Sequence, residues 1–268
     1  MMSDRFSGAG AAGYDRGFGS ISRQFIPALL RAAHAGPGCK LLDVATGTGA
    51  AAEAAAEVIG PSGSFVATDL SSEMLDRARE RLQMVPNVSF SVEDGQSLSF
   101  PDGQFDAVLC AMGLMLFPSP DRGLSEFHRV LRAGGWAAVS VNTVPERAFV
   151  TRVDAIIARY DPQRAETSAR FFSLGKPELL RSLFSAAGFQ DVDTFTETRR
   201  YPFDSFDAYF GPIEHGQGPT GRAFLALPID IQQIVREDTR RQLEGNANLG
   251  GPVEVEVEIL FGCGHRSE

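Results

Sequence analysis

Three aspartates, Asp43, Asp69 and Asp94, lie at or just after the ends of three successive segments that are predicted to be strands. A carboxylate there can accept hydrogen bonds from an ammonium group, from a pair of ribose hydroxyls or from an adenine amino group. Each aspartate alone could instead cap a helix or form a turn, because Asp is favoured in both places. Because all three aspartates lie at the ends of successive strands, they indicate a site for a nucleoside-containing ligand.

The segment 43–49, DVATGTG, falls where the first predicted strand turns into a helix. Glycines at such a turn let the backbone approach a ligand closely, and the N–H groups that open the helix are unpaired. Nicotinamide-dependent enzymes use G-x-G-x-x-G at the same junction. Here Ala52 takes the place of the third glycine, and Asp43 would repel a pyrophosphate but attract the ammonium of a methionine moiety.

The candidates for a general base are the four histidines. His215 is the first choice, because it lies in a segment that is expected to cover the substrate. Glu214 is the second choice. A base is useful when the acceptor is a hydroxyl, whereas a neutral amine or an acidic phenol can react without one. The alternative for His215 is a loop histidine without a catalytic role. No metal site is predicted, since Cys263 and His265 stand alone and a closed site needs about four ligands.

An alternation of strands and helices between residues 40 and 141 has to position these residues. Short apolar runs predict the strands, and helical spacing or Ala- and Glu-rich composition predicts the helices between them. The predicted strands are 40–45, 64–68, 88–92, 105–111 and 136–141, and the predicted helices are 50–59, 71–84 and 121–132. This order indicates βαβ units and a mostly parallel sheet covered on both faces.

After residue 142 the alternation becomes looser. Helices are predicted at 147–160 and 176–187, a strand at 191–198, and a last strand at 253–259, where valine alternates with glutamate as in a partly solvated antiparallel strand. The predicted fold is therefore a doubly wound, Rossmann-like α/β domain. It has a mostly parallel seven-stranded sheet, an antiparallel last strand, and an aromatic-rich lid inserted at 201–251 between the last two strands, over the acceptor pocket.

Residues 40–141 resemble the core of class I S-adenosylmethionine-dependent methyltransferases, and most closely the ubiquinone/menaquinone-biosynthesis branch. The matching stretches are LLDVATGTG, VATDLSSEMLDRAR, VEDGQSLSFPDGQFDAV and FHRVLRAGG. The resemblance implies S-adenosylmethionine as the cofactor and S-adenosylhomocysteine as its product. It also implies transfer of a methyl group to O, N or C of a small molecule, and the many phenylalanines favour an apolar or aromatic metabolite.

The same resemblance assigns cofactor contacts to individual positions of this chain. They are Gly47 and Gly49 at the methionine part, Asp69 at the ribose, Leu70 and Met74 beside the adenine, Asp94 and Gly95 at the adenine edge, and Cys110 and Ala111 at the methionine moiety. Ala45 and Gln96 belong to the same predicted turns. Tyr14 lies in an N-terminal segment, residues 1–36, that is expected to cover the cofactor bound by the core at 37–142.

Composition limits the partners. A net charge of −9 argues against a broad surface for nucleic acid or anionic membrane. No membrane span or signal peptide is predicted, so we expect a single cytoplasmic domain over residues 1–268 that acts as a monomer or a homodimer. A nicotinamide-dependent oxidoreductase and a cofactor-binding protein without catalysis remain alternative interpretations.

Overall fold

The computed structural model describes residues 21–244 and 251–267. The strands are β1 (Lys40–Val44), β2 (Ser64–Asp69), β3 (Val88–Val92), β4 (Phe105–Ala111), β5 (Leu131–Asn142), β6 (Gln190–Phe203) and β7 (Val253–His265). The helices are α1 (Ile26–Ala32), α2 (Ala50–Ile59), α3 (Ser72–Arg81), α4 (Pro120–Val130), α5 (Thr151–Ile157), α6 (Pro162–Phe171), α7 (Pro177–Ala186), α8 (Phe206–Glu214), α9 (Gly218–Leu225) and α10 (Ile229–Glu244).

The strands form one sheet in the order β3-β2-β1-β4-β5-β7-β6. Strands β1 to β5 are parallel, and β7 lies antiparallel between β5 and β6. The predicted fold class is therefore confirmed. The strand order reverses between β1 and β4, and a crevice for a ligand forms at the carboxyl ends of strands at such a point.

The central strands are buried on both faces, as their nearly continuous apolar sequences predict. Leu41 and Leu42 of β1 and Val108 and Leu109 of β4 have no exposed surface. Successive residues of a strand point to opposite faces. Ile259 of β7 lines a cavity together with residues of α1, whereas a side chain at Gly262 would meet α7. Helices α1 and α7 thus cover opposite faces of the sheet.

Strands β6 and β7 continue beyond the carboxyl edge of the parallel strands. The last pair between β5 and β7 joins Asn142 to Ile259, while β6 and β7 go on pairing to Phe203 and Val253. The extension of about six residues reaches roughly 20 Å above the sheet. It carries α8, α9 and α10, which fall within the predicted lid. The two strands are longer than predicted, because β6 and β7 pair with each other as far as Phe203 and Val253 at one end and near His265 at the other.

The alternation of valine and glutamate in β7 has a direct structural counterpart. Val253, Val255 and Val257 are buried, while the intervening glutamates point to the other face. There Arg147 pairs with Glu256 and Glu258, and Arg200 pairs with Glu254 and Glu256. These half-exposed ion pairs add little stability, so burial of the valines holds the extension in place. None of the described helices has the length and apolar character needed to cross a membrane.

Candidate active site

The crevice opens where β1 and β4 end in left-handed backbone. Ala45 follows β1 with φ of 60°, and Met112 follows β4 with φ of 58°. Each such residue costs about 1–2 kcal/mol when it is not glycine, so the surrounding packing must enforce the turn. A Cβ at Gly113 would lie 2.6 Å from the Cβ of Ala45, which explains why glycine stands where the two turns meet.

The glycine turn after β1 is held by β2. The Thr46 amide donates to the carbonyl of Thr68 (2.8 Å), and the Gly47 amide donates to Oδ2 of Asp69 (2.9 Å). Gly49 opens α2 with φ of 83°, and a Cβ there would lie 3.1 Å from that of Ala78. The unpaired amides at the start of α2 consequently face the crevice in a fixed arrangement.

Asp43 lies beneath this turn with no exposed surface. Neither of its carboxylate oxygens has a hydrogen-bond partner among the described residues, and the same is true of the Thr46 hydroxyl. Burial raises the pKa of Asp43 to about 7; the nearby Thr46 hydroxyl opposes this rise without forming a hydrogen bond of good geometry, and the charge of Asp69 adds to it. A buried carboxylate without a partner is costly, and a ligand cation such as an ammonium group would remove that cost.

Asp69 ends β2 and organises the neighbouring loops. Its Oδ1 accepts from the amide of Ser71 and its Oδ2 from the amide of Gly47, both at 2.9 Å. Each oxygen keeps a second lone pair, so both can also accept from the hydroxyls of a ribose. Burial raises the pKa of Asp69. Beside it, Leu70 is 73% exposed and offers an apolar surface to a flat ring, while Met74 is buried.

The turn after β3 contains Asp94, Gly95 and Gln96. Oδ1 of the exposed Asp94 accepts from the Gln96 amide at 2.9 Å and from its side-chain Nε2 at 3.1 Å. Gln96 Oε1 accepts from the amide of Ser119 (2.8 Å), which ties the turn to the start of α4. Asp43, Asp69 and this turn are thus brought to one edge of the sheet.

The second wall of the crevice is apolar. It combines one face of α1 with the carboxyl ends of β4 and β5 and with Ile259 in the middle of β7. Burial raises the pKa of Cys110 in β4, which keeps that side chain a neutral thiol. The residues lining the whole cavity are Ser22, Phe25, Ile26, Leu29, Ala45, Thr46, Gly47, Thr48, Ala50, Ala51, Ala111, Met112, Ser140 and Ile259. Within the described part of the chain, no cluster of three or more His, Cys, Asp or Glu could hold a metal ion.

Comparison with known proteins agrees with this geometry. A family model described as a methyltransferase domain matches residues 41–135. A ubiquinone/menaquinone biosynthesis C-methyltransferase of Shewanella frigidimarina is 30% identical over 180 residues, covering 61% of this chain and 71% of that protein. The chain belongs to the class I S-adenosylmethionine-dependent methyltransferases, in the ubiquinone/menaquinone-like branch.

Two further proteins are similar to parts or to the fold of this chain. A demethylmenaquinone methyltransferase of Bacteroides fragilis is 40% identical over 111 residues, which span 40% of this chain and 45%, less than half, of that protein. The structure of phosphoethanolamine N-methyltransferase 2 of Haemonchus contortus, in complex with phosphomonomethylethanolamine and S-adenosylhomocysteine, aligns with a TM-score of 0.62. The two proteins are 17% identical, and the alignment covers 98% of this chain and 58% of the other chain. This similarity therefore supports the fold alone.

The two predicted catalytic residues of the methyltransferase lie outside the cavity lining. His215 is exposed at the end of α8, and its Nδ1 is 2.6 Å from the carbonyl of Gly211 in the same helix. Glu214 accepts from Nε of Arg236 in α10 at 2.7 Å. Their catalytic role stays a prediction. Tyr14 lies outside the described residues.

Ser140 and Ile259, which line the cavity, were missed by sequence reasoning. The inner face of α1 lies within the segment 1–36 that is expected to cover the cofactor. Ser140 stands in an apolar run and carried no signal. Ile259 becomes part of the site only through its pairing with Asn142.

Substitution of Gly95 tests how tightly the third turn is packed. A Cβ at Gly95 would lie 2.5 Å from Cζ of Phe117 and 2.7 Å from Cγ1 of Val44. We expect Gly95→Ala to lower the free energy of unfolding by about 1–3 kcal/mol, because such overpacking displaces side chains. Gly36→Ala is the control, since its Cβ would meet nothing within 4 Å. Equal urea denaturation curves for the two variants would contradict this explanation.

Proposed function

We propose that the protein transfers the methyl group of S-adenosylmethionine to a small, uncharged, apolar or aromatic metabolite bound between α1, the carboxyl ends of β4 and β5, and Ile259 of β7. The observation that carries this proposal is the buried, unpartnered carboxylate of Asp43 beneath the glycine turn. A methionine ammonium is the cation that such a carboxylate suits in this family. A pyrophosphate at the same place would be repelled.

Under this proposal the residues at the strand ends would hold the cofactor in the order predicted from the sequence. Asp43, Ala45, Gly47 and Gly49 would hold its methionine part, and Ala111, with Cys110 beneath it, would form the floor. Asp69 would accept from the ribose, Leu70 and Met74 would contact the adenine, and the turn of Asp94, Gly95 and Gln96 would border the ring. When bound, the cofactor supplies a methyl group that is already activated on a sulfonium sulfur.

The acceptor side of the cavity favours a neutral molecule. None of the described side chains that line it carries a charge, and Phe25, Ile26, Leu29 and Ile259 present only carbon atoms. A charged acceptor would lose its hydration there without compensation. The relative from Shewanella frigidimarina is by name a C-methyltransferase of ubiquinone/menaquinone biosynthesis, so an aromatic ring carbon is one acceptor atom consistent with this lining. Oxygen and nitrogen acceptors fit the same surface.

Transfer requires little chemistry from the protein itself. A bond forms from the acceptor atom to the methyl carbon as the carbon–sulfur bond breaks, and its electron pair stays on the sulfur of S-adenosylhomocysteine. The acceptor then releases its proton to water or to a base, for which His215 and Glu214 are the predicted candidates. Holding the two reactants in line can lower the barrier by roughly 7–11 kcal/mol. The rigid turns at Ala45 and Met112 would supply that positioning.

Calorimetric titration with S-adenosylhomocysteine tests the proposal directly. We expect one-to-one binding with a micromolar dissociation constant, and no binding of NAD at the same concentration, because Asp43 repels its pyrophosphate. Methyl transfer from radiolabelled S-adenosylmethionine to a panel of phenols, hydroquinones and arylamines then identifies the acceptor atom. A folded protein that binds NAD and not S-adenosylhomocysteine would refute the proposal.

A further inference from the structure

We propose that Ser140 is a specificity-determining residue of the site for the methyl-accepting substrate. Its hydroxyl donates a hydrogen bond to a neutral oxygen or nitrogen of an otherwise apolar substrate. This inference rests on the proposed function, since it assigns a role on the acceptor side of the same cavity. It adds a requirement that an apolar lining alone does not impose. The methyl-accepting substrate must carry one atom that can accept a hydrogen bond near its reacting end.

The position of Ser140 places it beyond the cofactor. It is paired with Ala111 across the parallel strands β4 and β5. Adjacent strands are about 4.8 Å apart, so Ser140 lies one strand further than Ala111 from β1 and its glycine turn. It is 4% exposed and lines the cavity. A group bound over Ala111 would therefore have the Ser140 hydroxyl at its side.

The hydrogen bonds of Ser140 leave its proton available. The amide of Met112 donates both to the Ser140 carbonyl (3.0 Å) and to its Oγ (3.2 Å). The oxygen of the hydroxyl is thus fixed as an acceptor, and no described group accepts from its O–H. Because Met112 is held at a φ of 58°, the donating amide cannot rotate away. The hydroxyl oxygen is therefore held in place before any ligand arrives.

Few polar groups accompany Ser140 on this side of the cavity. The other side chains there are Ser22, Phe25, Ile26, Leu29, Met112 and Ile259, and Ser22 already takes part in an interaction within the protein. Thr46 and Thr48 belong to the glycine turn across the cavity. A buried donor that remains unsatisfied costs free energy, so a ligand that lacks an acceptor atom is penalised relative to one that has it. Ser140 therefore favours a hydroxyl, carbonyl or amine over a hydrocarbon of the same shape.

A matched pair of probes measures this preference. Protein saturated with S-adenosylhomocysteine is titrated with 2-naphthol and with 2-methylnaphthalene, which share one ring system and differ in a single group, and binding is followed by NMR. We expect wild-type protein to bind 2-naphthol about tenfold more tightly. In Ser140→Ala the preference should disappear while the affinity for 2-methylnaphthalene is retained. The Met112 turn should persist, because the backbone carbonyl of residue 140 still accepts its amide.

Further variants separate the role of the hydroxyl from effects on folding. Ser140→Cys keeps the size of the side chain and weakens its donor, so it should lose most of the preference. Ser125→Ala removes an exposed serine on α4 and should change nothing. If the protein does not bind S-adenosylhomocysteine, the proposed function fails. If it binds the nucleoside but Ser140→Ala keeps the preference, or neither naphthalene binds, the role of Ser140 is refuted and the proposed function stands.

Discussion

Replacing Asp69 with alanine is expected to weaken the binding of S-adenosylhomocysteine by about a hundredfold, because one carboxylate performs two tasks. Its oxygens accept from the amides of Gly47 and Ser71 at 2.9 Å, and under the proposed function their remaining lone pairs would accept from the ribose. Each hydrogen bond to a charged group contributes about 1.5–3 kcal/mol. The substitution removes the ribose contacts and also releases the glycine turn, so the loss exceeds that of one bond.

Controls for this experiment lie in the same region. Asp76 is an exposed carboxylate of α3 that pairs with Arg79 at 2.7 Å, and Asp76→Ala should leave the affinity unchanged. Asp69→Asn keeps one acceptor oxygen and should give an intermediate loss. Isothermal titration calorimetry of all three variants, with circular dichroism to verify folding, gives the comparison. Full affinity in a folded Asp69→Ala protein would show that the ribose is held elsewhere.

The positions of these acidic residues follow from the sequence because a βαβ order leaves few places for them. Once β1 to β3 are parallel neighbours, Asp43, Asp69 and the turn of residues 94–96 must share the carboxyl edge. The backbone that opens the crevice could not be predicted in this way. Ala45 and Met112 are ordinary side chains in left-handed conformations. Only the contact that fixes glycine at position 113 makes those turns favourable.

The acceptor side was less predictable for a related reason. Ser140 stands in the run AAVSVN, and its role depends on an amide 28 positions earlier in the chain. Strand β6 was predicted to end at residue 198, yet pairing with β7 carries it to Phe203. Contacts of this range are fixed by the register of the sheet, which a single sequence specifies only weakly.

Asp43 should couple the stability of the free protein to pH. Its folded-state pKa of about 7 lies above the ordinary value of 3.8, so the folded protein retains a proton that the unfolded chain releases between these values. The resulting stabilisation is complete below pH 3.8 and is lost as the pH rises through about 7. A shift of this size corresponds to about 4 kcal/mol. Asp43→Asn should therefore show a flatter dependence of melting temperature on pH.

The same carboxylate should make binding depend on pH in the opposite direction. The ammonium of S-adenosylhomocysteine favours ionised Asp43, so below pH 7 binding must release a proton, and affinity should fall roughly tenfold per unit, or about a hundredfold from pH 7 to pH 5. Calorimetry in two buffers of different ionisation enthalpy counts that proton. His128, whose pKa is lowered by burial, is common to both proteins, and its contribution cancels when wild type is compared with Asp43→Asn. Equal affinity and no proton release in the two proteins at pH 6 would mean that the ammonium does not contact Asp43. The site would then have to bind its ligand without using the buried carboxylate beneath the glycine turn.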